Sequence, residues 1–169
     1  MNATQFVHEQ VAEARSLKDA AIAGVTDEQF NWLPPGTINP IKSVLLHFVA
    51  GEDLFFQSII QGQPPLWATG GWAGKIGLAQ APGGGRGWEE ANRTVLALAP
   101  VLAYVEAVGN ATNAYLARLT DDELDRRGSF FGTESTVAGV LARFVAHTAG
   151  HAGEIAAVKG MQGLQGLPF

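Results

Sequence analysis

The sequence predicts an all-α fold, a four-helix bundle forming one domain over residues 1–169. Three observations carry that reading. Four long segments place apolar residues at helical spacing, no stretch alternates convincingly as a strand does, and one long Gly-rich connection separates the second segment from the third. With 169 residues, 47 % of them hydrophobic and only 16 % charged, the chain can bury enough surface to fold as a unit.

The first segment runs from about Thr4 to Gly24. Phe6, Val7, Val11, Ala14, Leu17, Lys18, Ala21 and Ile22 fall near one face, and Gly24 offers a stop. Thr26, Asp27 and Glu28 suggest a short helical turn before Pro34-Pro35-Gly36 forces a loop. The second segment opens near Pro40, a residue suited to a first helical turn, and reaches about Ile60. Ile41, Val44, Leu45, Phe48, Val49, Glu52, Phe55, Phe56 and Ile59 share its stripe, the strongest helical pattern in the chain. Residues 62–87 then carry nine glycines, three prolines and two tryptophans. A connection this long is usually functional or disordered, and Trp67 and Trp72 argue for packing. It is no phosphate cradle, because "GWAGKIG" lacks the Gly-Lys-Ser/Thr ending and follows no strand.

A short irregular or helical piece is expected over Trp88–Leu98. The third segment, Pro100 to about Leu119, presents Val101, Leu102, Val105, Val108, Thr112, Tyr115, Leu116 and Leu119. "TDDELD" from Thr120 has a capping pattern, and "RGSFFGTEST" reads as a loop with an extended stretch. Ser135 or Thr136 can cap the fourth segment, about Val137 to Met161.

Composition narrows the function. A net charge of −5 and a pI of about 5.3, with no Lys/Arg cluster, give no footprint for nucleic acid. No uninterrupted apolar run approaches the roughly 18 residues of a membrane span, and the first residues lack a signal pattern, so a cytoplasmic protein is expected. The chain has no cysteine, so any metal site must use histidine and carboxylate.

Two of the four histidines lie in "AHTAGHAGEI". At about 100° per residue, Val137, Val140, Leu141, Phe144, Thr148, Ile155 and Val158 form an inward stripe on the fourth segment. His147 and His151 flank one edge of it, about 80° and 40° round, with Glu154 near them. Residues four apart are neighbours on a helix, so both imidazoles can reach one ion. The spacing equally suits two edge histidines bonded to neighbours. His47, at the edge of the apolar second segment, offers a third ligand, whereas His8 reads as solvated. Three imidazoles with an open position form a catalytic type of site and suit nickel, zinc or iron better than calcium or magnesium.

Glu52 interrupts the second stripe. A buried carboxylate needs a partner, which could be an arginine such as Arg143, or it serves chemistry near the site. It lies about 140° from His47, too far round the helix to grip the same ion.

"NPIKSVLLHFVAGEDLFF", "AYLARLTDDELDR" and "TVAGVLARFVAHTAGHAGEIAAVKGMQGL" occur in the order found in the DinB/YfiT-like superfamily, which the chain resembles over nearly its whole length. The resemblance implies an up-down-down-up bundle with a long crossover between helices two and three. It implies a divalent metal, nickel or zinc, on His47, His147 and His151, and a homodimer. Members include S-transferases that use the low-molecular-weight thiols bacillithiol or mycothiol and a mycothiol-dependent maleylpyruvate isomerase; others are described as metal-dependent hydrolases. The Gly-rich 62–87 loop departs from the family pattern.

The expected function is therefore a metal-dependent enzyme, a thiol S-transferase or hydrolase acting on a small molecule. Glu154 would orient His151 or a water at the metal, and Glu52 would act as general base or support. Trp67 and Trp72 would contact ligand from the loop. The competing reading is a non-catalytic bundle, stapled by metal, that binds a small ligand or dimerises.

Overall fold

Helix starts follow the capping chemistry of the chain. The computed structural model describes residues 2–167. Helix α1 (Ala3–Ile22) opens on Asn2, whose side chain accepts from Gln5 N while the Gln5 side chain accepts from Asn2 N. Thr26 caps α2 (Asp27–Asn31) in the same reciprocal way. Helix α3 (Ile41–Asp53) begins after Pro40 and continues as a wider π-helical stretch, Leu54–Ile60.

The Gly-rich connection is not bare loop. It contains two short helices, α4 (Leu66–Thr69) and α5 (Trp72–Ile76), and leads to α6 (Trp88–Arg93). Helix α7 (Leu98–Leu116) precedes the Thr120-capped α8 (Asp121–Asp125). "RGSFFGTEST", read from sequence as a loop with an extended stretch, folds into an antiparallel hairpin of β1 (Arg127–Phe130) and β2 (Thr133–Thr136). Its four-residue strands are too short for alternation to stand out. Thr136 then caps α9 (Val137–Met161), which has the expected bounds.

The chain is mostly helical. Helix α1 packs on α9, α9 on α3, and α3 on α7. The central position of α3 explains its composition: Ile41, Val44, Leu45, Leu46 and Phe48 are fully buried. The stretch Ile41–Ile60 is apolar enough over 20 residues to cross a membrane by composition, but most of it is buried inside the fold. On α9 every residue of the expected inward stripe is buried. Leu102, expected on the inner face of the third segment, is instead exposed.

Two buried carboxylates tie this core together. Glu52 forms an ion pair with Arg15 of α1, not with Arg143, and Arg15 also donates to Asn113 Oδ1 and Gly109 O of α7. Three helices thereby meet at one guanidinium. Asp53, 1 % exposed, accepts from Leu66 N at 2.8 Å, Trp67 N at 2.9 Å and the Tyr104 hydroxyl at 2.8 Å. One carboxylate thus holds the start of α4 against α3 and α7. It also explains how so Gly-rich a connection is fixed over the core.

Candidate metal centre

Helices α3 and α9 bring His47, His147 and His151 together, with one ring nitrogen from each lying within 4.8 Å of the others. His147 and His151 sit one turn apart on α9, their ring centroids 4.5 Å apart. His47 faces them from α3, with Nε2 3.2 Å from His147 Nε2. The close approach depends on Gly51. A Cβ at that position would stand 2.9 Å from Cε1 of His147. A glycine inside a helix costs about 1 kcal/mol against alanine, and here its missing side chain leaves space for an imidazole.

Hydrogen bonds orient two of the rings. His47 Nδ1 lies 3.0 Å from the Pro82 carbonyl, and a carbonyl only accepts, so Nδ1 carries the proton and Nε2 keeps its lone pair. His151 Nδ1 lies 2.8 Å from Glu154 Oε2, which likewise frees Nε2. These are the partners that metal-bound imidazoles commonly have. The third ring has none at Nδ1, which is buried without a hydrogen-bond partner among the described residues. The 3.2 Å contact between His147 Nε2 and His47 Nε2 admits either His147 tautomer. With its proton on Nδ1, His147 would offer a third Nε2 lone pair beside those of His47 and His151, and that donor set fits a divalent ion.

Burial pushes His147 down to about 4, helped by the neighbouring His151 and His47. His47 is also lowered, chiefly by burial and then by His151, against the Pro82 bond and the Glu154 charge. Both imidazoles are therefore neutral near pH 7, the form that ligates metal.

A cavity of about 600 Å³ adjoins the rings, with His47, His147, Trp67, Tyr104, Phe131 and Arg143 in its wall. Trp67 lines that cavity. Trp72 is packed inside, 5.2 Å from the Tyr104 ring, and is not among the lining residues. Glu52 is held by Arg15 and belongs neither to the imidazole group nor to the cavity wall. His8 is exposed, as expected.

Sequence reasoning missed three contributors to the site. Trp88 lies over His47, ring centroids 4.7 Å apart, and Pro82 supplies the carbonyl that sets the His47 tautomer. Neither lies at a helical interval from a histidine. Gly51 had a signal, a glycine one turn after His47 in an otherwise apolar helix.

Comparison with known proteins bears on the fold and the family. No curated protein matches the chain. A crystal structure of a conserved protein from Enterococcus faecalis is similar in fold, with a TM-score of 0.78 at 21 % identity, over 94 % of this chain and 96 % of that one. The model of the DinB superfamily matches residues 10–155, which include all three clustered histidines. By that match, the chain belongs to the DinB superfamily.

Proposed function

We propose that the chain is a metal-dependent enzyme acting on a small molecule, by S-transfer from a low-molecular-weight thiol or by hydrolysis. One observation carries the proposal: three imidazoles converge beside a cavity, two of them with Nδ1 bonded to oxygen so that Nε2 is free. His47, His147 and His151 would hold nickel or zinc. Bound there, the ion supplies Lewis acidity, which makes a water or thiol nucleophilic near neutral pH.

The rest follows from this chain's own residues. Glu154 orients His151 and raises its basicity as a ligand through the Nδ1 bond. Trp67 and Pro82–Gly84 bound the cavity. Glu52 has a structural part through Arg15. Trp72 supports Tyr104 from behind. The pairing of α1 with α9, α9 with α3 and α3 with α7 supports a single four-helix domain; an up-down-down-up order with α4–α6 in the crossover belongs to the same proposal. A cytoplasmic homodimer without nucleic-acid partners belongs to the same proposal; the acidic charge supports the last point.

The rival staple reading needs a closed site, and a cavity of about 600 Å³ against the imidazoles favours substrate access. The test is a screen of thiol transfer and ester or amide hydrolysis, run with zinc or nickel and again after chelation. Turnover that requires metal and is lost in His47→Ala supports the enzyme. Turnover indifferent to both overturns it.

A further inference from the structure

The hairpin turn places Phe131 at φ 55°, followed by Gly132 at φ 75°. Two-residue hairpin turns with positive φ at both positions favour Asn-Gly or Gly-Gly. A bulky residue in the left-handed region is strained, and such strain tends to mark function. Here Phe131 is 42 % exposed, its ring packs edge-on to Phe55 at 5.1 Å, and it forms part of the cavity wall. The strained backbone therefore carries an aromatic side chain to the cavity that borders the imidazoles.

Above that ring lies Arg143, its guanidinium carbon 5.1 Å from the ring centroid. Arg143 stands one turn before His147 on α9 and lines the same cavity. Among the described residues it has no carboxylate within ion-pair distance; Glu52 is paired with Arg15. The other charged side chain in the wall, Asp53, is buried and already accepts three hydrogen bonds. The uncommitted charge in the wall is thus positive, in a chain whose net charge is −5. Tyr104, Trp67, Phe55 and Phe131 make the remaining surface largely apolar.

We infer that the cavity takes an anionic small molecule with an apolar body, its carboxylate bound by Arg143 and its body packed on Phe131. A guanidinium pairs a carboxylate in a planar, two-pronged fashion, and stacking on Phe131 holds the plane in place. The inference rests on reading the imidazoles as the reaction centre, and it names the substrate class of that site.

Calorimetric titration of the zinc-loaded full chain with 4-phenylbutyrate and with its neutral amide tests it. The wild type should prefer the acid by about tenfold. Arg143→Gln, an exposed helix position, should bring the two affinities within about twofold of each other, and Arg143→Lys should restore part of the preference. Phe131→Gly, which suits the turn, should weaken both probes alike. Equal or absent binding by the wild type, or an undiminished preference in Arg143→Gln, overturns the inference. Unchanged affinities in Phe131→Gly remove the hairpin from it. The metal reading is separated by repeating the titrations on metal-free His147→Ala. A preference that persists there keeps Arg143 as the anion reader even if metal binding fails. A metal-loaded Arg143→Gln that still prefers the acid ends the inference and leaves the metal reading standing.

Discussion

Gly51→Ala should separate helix stability from metal affinity. Gly51 has ordinary helical backbone geometry, so alanine by itself stabilises α3 by about 1 kcal/mol. The new Cβ, however, would lie 2.9 Å from Cε1 and 3.5 Å from Nδ1 of His147. Normal contact begins near 3.4 Å, so the ring must retreat by roughly 0.5 Å. Metal sites tolerate displacements of about 0.2 Å. The loss should be about 10- to 100-fold in affinity, or roughly 1.4–2.8 kcal/mol. Meanwhile the metal-free protein should melt within a few degrees of wild type. Competition against a calibrated chelator and a thermal melt of the metal-free protein measure the two quantities. Gly109→Ala in α7 is the control, since its Cβ meets nothing within 4 Å; it should raise the melting temperature and leave affinity alone. A folded Gly51→Ala protein with wild-type affinity would refute the claim that the α3–α9 approach sets the ligand geometry.

Removing the Glu154 carboxylate by Glu154→Ala should lower metal affinity about 10-fold without unfolding the chain, as read by the same competition. Glu52→Gln should do the reverse: it leaves Arg15 without its charge partner, destabilises by on the order of 3 kcal/mol in urea denaturation, and leaves affinity per folded chain unchanged. Asp53→Ala strands Leu66 N, Trp67 N and the Tyr104 hydroxyl, so α4 should come loose and limited proteolysis should cut near residues 62–70. Acid should weaken the metal-free fold through His147. Its folded value is about 4 against an ordinary 6.5, so between those pH values the unfolded chain binds more protons. Stability should therefore be flat above about pH 6.5, fall as pH drops toward about 4, and level below that as far as this group is concerned. Denaturant midpoints across that range in wild type and His147→Gln check it; an equal slope in both would remove His147 as the cause.

Much of this was legible because the information is local. A capping residue, Ser135 or Thr136, followed by a 3.6-residue apolar stripe places α9 at about its observed bounds, and the edge position of His147 and His151 follows from the same arithmetic. Long-range partners have no such signature. Arg15 is 37 residues from Glu52 and looks like any surface arginine of an amphipathic helix, so Arg143 was an equally good partner on paper. The π-helical stretch after Asp53 keeps the apolar composition of α3, and only its hydrogen-bond spacing differs. Trp67 and Trp72 look alike in sequence; the Asp53 carboxylate, bonded to the Trp67 backbone, helps decide which of them lines the cavity. The Phe131 turn was hidden because Phe-Gly is not a favoured hairpin pair, the same oddity that gives it meaning.

The three imidazoles should together hold one divalent ion. The direct measurement is elemental analysis of protein reconstituted with zinc or nickel and then freed of loosely bound ion, compared with His151→Ala. About one ion per wild-type chain is expected, and little in the variant. Wild-type protein that retains no stoichiometric metal, or a His151→Ala protein that retains as much as wild type, would contradict it.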